Sequence, residues 1–319
     1  MKVNRPRRKT KAVVIFFVVV LVVGFSVRNW PLFLAQAQAT STSAPSNSRM
    51  SGFYLDVGAS ASLGFQPTGR PHGNGSVTDT GYANDVVSIE AAKDVTLTLH
   101  QIGCPGETAE SMLVNVDKCY KPPVGQRSLA LHFLRENHYS TGLVTIDLGF
   151  NDVRVCLVPT KVIESCVTNG IALVRRDLPT VVRQLKAAAG PRVRFVGILY
   201  DDPFLAHYLH GSSGQTDAAA TLAAMTTLNA TLASIYTSQR ITIADVPQAF
   251  QSDNQNPSPL PHVGPVPPPQ LGRVPRDVAN VCKWTWMCQG TPFGPDDHPN
   301  NTGYEVIAKV IAATLPRTW

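Results

Sequence analysis

Four short segments carry the residue types of acyl-transfer chemistry. They are Gly58-Ala59-Ser60-Ala61-Ser62, Gly103-Cys104-Pro105-Gly106, Gly149-Phe150-Asn151-Asp152 and Asp296-Asp297-His298-Pro299-Asn300. A serine hydroxyl attacks a carbonyl carbon when an imidazole takes its proton, and N–H donors hold the oxyanion that develops. A serine, a backbone-exposing glycine, an asparagine and a histidine are the parts such a reaction needs. Each alone has a plainer role. Ser60 suits a helix N-cap, Gly103 a tight turn and Asn151 a loop. Ser62 is read as a first-turn residue, and Asn84-Asp85 falls inside a predicted helix.

The elements around these segments give the four residues a common place. Five apolar, β-branched runs read as strands: 53–57, 95–100, 143–148, 193–199 and 241–246. Helical spacing covers 82–92, 171–189 with Pro179 inside it, 217–238, and a last stretch from about Asn301. Strands alternating with helices predict a three-layer α/β/α domain on a flavodoxin-like, parallel five-stranded sheet. In such a sheet ligands bind beyond the carboxyl ends of the strands. Three of the four segments directly follow a strand, and the His298 segment follows the last strand after a long insert. Pro257–Pro275 holds eight prolines in 19 residues, which excludes a helix or a central strand and predicts a surface loop. Asp201-Asp202, after the fourth strand on the same edge, reads as a turn, with contact to substrate as the alternative.

Taken together, the four segments resemble the blocks of the SGNH (GDSL-type) serine hydrolases, over roughly residues 52–315. The disulfide-containing exported members from actinobacteria are the most similar, through GCPGE and the Cys-flanked KWTWM. The resemblance implies Ser60 as nucleophile, with Gly103 and Asn151 as oxyanion-hole donors beside the Ser60 N–H. It implies His298 as general base, and no metal or organic cofactor. Two positions depart from the pattern. The aspartate of G-D-S is Ala59, and the aspartate of D-x-x-H is Pro295. Asp296 is the expected third member, because at two residues before His298 it can curl back to Nδ1. A backbone carbonyl and Asp297 are the alternatives. Trp284 and Trp286 either wall an acyl pocket or pack under a disulfide loop.

The rest of the chain bears on where it works. Six basic residues precede the 14-residue apolar run Ala12–Phe25, as in an export signal. That run is shorter than the ~20 residues that span a bilayer, yet Trp30–Leu34 prolongs it, so a cleaved signal and an uncleaved anchor both fit residues 1–39. Residues 40–50 read as a Ser/Thr-rich linker, and 51–319 as the hydrolase domain. Of 28 Lys and Arg, seven lie in residues 1–39, leaving 21 against 22 Asp and Glu. A body so nearly neutral has no electrostatic footprint for nucleic acid. The six cysteines suit an exported chain. Their spacing suggests Cys104–Cys119, Cys156–Cys166 and Cys282–Cys288, loops worth roughly 2–3 kcal/mol each in the chain-entropy model. No C-x-x-C pair or suitably spaced histidine favours zinc.

These readings predict an exported serine esterase or lipase-like hydrolase acting as a monomer on a small-molecule, lipid or glycan ester. It would be secreted, or anchored on the outer face of the cytoplasmic membrane with membrane contact through residues 12–25. An acyltransferase to a sugar or cell-envelope glycan on the same scaffold is the nearest alternative. A catalytically silent glycan- or lipid-binding module is the other.

Overall fold

The computed structural model describes residues 50–69, 75–116, 118–158, 161–261, 272–317 and 319. The segment 1–39, the linker up to residue 49 and residues 262–271 of the Pro-rich insert lie outside them. Met50, assigned above to the linker, instead opens the first strand.

Five strands form the central sheet: β1 (Met50–Gly58), β2 (Val95–Gln101), β3 (Gly142–Asp147), β4 (Val193–Ile198) and β5 (Thr242–Ala244). All neighbours are parallel, in the order β2-β1-β3-β4-β5. This is the flavodoxin-like order. Residues 53–58 of β1 and all of β3 are buried. Such continuous burial is why parallel strands read as unbroken apolar runs. Side chains alternate across the sheet. Phe53, Leu55 and Val57 enter one core cluster with residues of α3 (Gln126–Glu136), α5 (Glu164–Ala188) and α6 (Gly211–Ser238). Tyr54 enters the other, with α1 (Tyr82–Ala91) and α9 (Asn301–Thr314). The architecture is therefore helices on both faces of one parallel sheet.

Several elements go beyond the sequence reading. α2 (Ala109–Val114) and α3 lie between β2 and β3. The short α4 (Phe150–Arg154) follows β3, α7 (Val246–Phe250) follows β5, and α8 (Arg276–Trp284) precedes the His298 segment. α5 begins seven residues earlier than its apolar spacing suggests and runs through Pro179 without a restart. Disulfides join Cys104 to Cys119, Cys156 to Cys166 and Cys282 to Cys288. Cys166 lies in the first turn of α5, where the bond ties the helix start to the residues after α4. The described ends of the Pro-rich insert, Pro257–Pro259 and Arg273–Pro275, pair as a two-stranded antiparallel ladder outside the central sheet.

Candidate active site

Ser60 stands two residues beyond β1, at the entry to a single 3-10 turn, Ala61–Leu63. Its backbone is in the ordinary right-handed region, and its side chain makes no capping bond. The hydroxyl is thus free for another partner. Gly64 closes the turn at φ +60°, a conformation that favours glycine. The turn is fixed from below. Ala59 N donates to the Asp147 carbonyl at 3.1 Å, and Ser62 N donates to the Asp147 carboxylate at 3.1 Å. Ser62 Oγ donates to Ala59 O at 2.7 Å and is spent on structure. Gln126, fully buried, grips Gly58 at both ends: Gly58 N donates to its Oε1 at 2.8 Å, and its Nε2 donates to Gly58 O at 2.9 Å.

His298 approaches from the segment before α9. Its Nε2 lies 2.7 Å from Ser60 Oγ. Its Nδ1 lies 2.7 Å from Asp296 Oδ1, and its backbone N donates to the same oxygen at 3.0 Å. The carboxylate therefore curls back two residues onto the ring. Burial disfavours charge on Asp296. The side-chain and backbone bonds from His298, with Arg154 nearby, more than offset it and hold the carboxyl below its ordinary value. Asp297 Oδ1 is farther from Nδ1, at 3.7 Å. The Asp297 carboxylate is instead held by the Arg154 guanidinium through Nε and Nη2. Phe65 covers the imidazole at a centroid distance of 4.8 Å.

The Cys282–Cys288 loop carries this histidine. Trp286 N donates to His298 O at 3.0 Å, and Asp296 N donates to Trp286 O at 3.3 Å. Trp284 packs edge-on to Phe250, and Trp286 stacks with Phe293. Neither lines the cavity described below. Asn300 caps α9 by accepting from Gly303 N at 3.1 Å, which sets where the histidine segment ends.

Gly103 packs against the serine turn. Its neighbours Ile102 and Cys104 donate to the carbonyls of Asp56 and Gly58. A Cβ at Gly103 would strike the Ser62 hydroxyl. Gly149 takes φ +121°, which lets the chain leave β3 and start α4 at once. Asn151 Nδ2 donates to Glu107 O at 3.1 Å. An amide nitrogen has two hydrogens, so one remains after that bond. Asp152 accepts from Ala109 N at 3.0 Å, tying α4 to the start of α2, and burial raises its carboxyl to about 7.

Ser60, Asn151 and His298 line one cavity of about 330 Å³, along with Pro105 and Gly106 of the Gly103 loop. Gly103 itself sits behind the serine turn and is not in the lining. Much of the wall is apolar, including Phe150, Ile198 and Val246. Asp201 also lines it. Burial, with Asp297 nearby, raises the Asp201 carboxyl to about 7. Among the described residues one cluster has the spacing to hold a cation: Asp296, Asp297 and His298. Asp297 already carries a guanidinium there, and the ring nitrogen faces Asp296. The cluster is a hydrogen-bonded array.

Four residues of this arrangement belong to none of the sequence segments that suggest chemistry: Asp147, Gln126, Glu107 and Arg154. Asp147 ends a predicted strand directly before the Asn151 segment, and Arg154 lies three residues past Asn151 on one helix. Those positions are their only signals in the sequence. Glu107 closes the GCPGE stretch that carries the resemblance, and Gln126 offers no signal.

No protein-family model matches the sequence, and no curated protein matches it. Similar structures exist. Phospholipase A1 from Streptomyces albidoflavus NA297 has 18% sequence identity and a TM-score of 0.53, over 83% of this chain and 99% of that one. An extracellular lipase from Streptomyces rimosus has 18% identity and a TM-score of 0.51, over 83% of this chain and all of that one. What the chain shares with these two lipolytic enzymes is the three-layer α/β/α fold built on a parallel five-stranded sheet.

Proposed function

We propose that the chain is an exported carboxylic ester hydrolase of the SGNH type, working through an acyl-enzyme on Ser60. One observation carries the reading: an unbroken array of 2.7 Å contacts from Asp296 through His298 to the Ser60 hydroxyl, at the rim of a largely apolar cavity. His298 Nε2 takes the Ser60 proton as Oγ attacks the ester carbonyl carbon. The negative charge gathers on the carbonyl oxygen, held by the remaining Asn151 N–H and the Ser60 backbone N–H, both from the cavity lining. The resemblance adds the Gly103 N–H as a third donor, from the loop whose Pro105 and Gly106 reach the same wall. The imidazolium returns the proton to the leaving alcohol, and the C–O bond breaks. Water repeats the sequence to release the acid. Asp296 orients the ring and balances its transient charge. No metal or organic cofactor is required.

The domain reading is part of the proposal: residues 1–39 direct export, 40–49 link, and the remainder, from Met50 on, is the hydrolase. The disulfides and the lipolytic, extracellular character of the Streptomyces rimosus neighbour support export. The test is hydrolysis of short-chain p-nitrophenyl esters by the full chain and by Ser60→Ala. Turnover in the wild type and its loss in the variant is the expected result. Equal rates for both would remove Ser60 from the mechanism, and silence in both would favour a binding module. Acylated sugar, formed when a sugar is added, would move the reading to a transferase.

A further inference from the structure

Asp297 is a problem for the proposed mechanism unless something neutralises it. Its side chain is 5% exposed, adjacent to His298, and its Oδ1 lies 3.7 Å from the ring Nδ1. A second free carboxylate there would stabilise the imidazolium and withdraw the base. The structure supplies the neutralising charge from a distant part of the chain. Arg154, at the end of α4, bonds Asp297 through two nitrogens, and the oxygen facing the ring, Oδ1, accepts from Nη2 at 3.0 Å. Such fork-to-fork pairing is the strongest arginine–carboxylate geometry. Arg154 follows Asn151 by three residues and lines the same cavity.

We propose that Arg154 is a positioning residue that keeps Asp297 from acting on His298, leaving Asp296 as the ring's one effective carboxylate. The proposal rests on the serine-hydrolase reading above and adds a residue that tunes its base. The other groups facing this segment do not replace Arg154. Asp147 at the end of β3 and Asp201 beyond β4 are carboxyls that burial raises towards the neutral form. Tyr304 of α9 donates to Phe65 O at 2.8 Å and is held neutral by burial. Ser60 is uncharged. Among the described residues, Arg154 is the cation paired with Asp297.

The sign of the effect follows. Removing the guanidinium leaves an anion beside Nδ1, so protonation of the ring becomes easier. The acid limb of kcat/KM then moves to higher pH in Arg154→Gln, by about one pH unit or more for a charge this close. Adding Asp297→Asn to that variant removes the anion and brings the limb back. Asp297→Asn alone, with the cation unpaired, moves it to lower pH. If Arg154 merely ties α4 to the histidine segment, Arg154→Gln lowers the rate equally at every pH, and the second substitution does not restore it. That outcome would overturn the proposal. The same four proteins are also followed by NMR titration of the His298 ring, which needs no turnover. Should Arg154→Gln fail to fold, Asp297→Asn decides alone, and an unshifted ring titration there would refute the idea. Absence of ester hydrolysis in the wild type would sink the function proposed above, while the ring titrations would still judge Arg154.

Discussion

At the scale of single residues, the chain solves its two departures from the G-D-S and D-x-x-H patterns by local geometry. Ala59 supplies no carboxylate to the serine turn, and Asp147 braces it from β3 instead. Pro295 stands where an aspartate is expected, and Asp296 reaches the ring by curling back. We expect Asp296→Ala to lower kcat on the order of 10²–10⁴-fold with a smaller effect on KM, since the carboxylate acts on the ring and not on substrate. Asp297→Ala should cost less. Steady-state kinetics on both variants check this, and the reverse order would reassign the third member. Ser60, Asn151 and His298 were legible because each stands in a short polar segment bounded by glycine or proline, beyond an apolar run. Arg154 was not, because its meaning depends on a partner 143 residues away.

At the scale of elements, the cavity is made by tying loops to one another. Gln126 of α3 grips the end of β1, Asp152 of α4 holds the start of α2, and the Cys282–Cys288 loop carries the backbone of His298. Replacing both Cys282 and Cys288 by serine should lower stability by about 2 kcal/mol, as a loop this short implies. It should also lower kcat, since the histidine segment hydrogen-bonds to that loop. Thermal melts and ester kinetics test the pair together. An unchanged Tm with unchanged kcat would mean that the loop holds without its bond. Gln126→Ala should leave the buried Gly58 N–H without its acceptor, a loss of roughly 1–3 kcal/mol, measurable by denaturant titration. The inner strands β1 and β3 were legible because burial on both faces makes each an apolar run, and the edge strand β2 because its residues alternate. The helices before and after β3 were not. α4 has five residues, too few to display a period, and the buried face of α3 begins with Gln126 and so breaks the apolar pattern.

At the scale of the whole molecule, the sheet's carboxyl edge gathers acids that the fold keeps dry. Burial raises Asp152, Asp201 and Asp202 each to about 7. For a carboxyl raised in the folded state, the sign is fixed by linkage. Between the unfolded value near 4 and the folded value near 7, the native state holds a proton that the unfolded chain has released, so stability falls as pH rises. Asp202 is the cleanest probe. It is 1% exposed, and it caps the turn after β4 by accepting from Phe204 N at 3.0 Å. Asparagine keeps that acceptor and cannot ionise. Asp202→Asn should therefore remove part of the decline in Tm between pH 4.5 and pH 7.5, with roughly 4 kcal/mol as the upper bound for one such group. The variant should match the wild type near pH 4.5 and exceed it near pH 7.5. Melts across that range decide it, and parallel curves for the two proteins would show that Asp202 is ionised in the native state and held by contacts beyond the Phe204 cap.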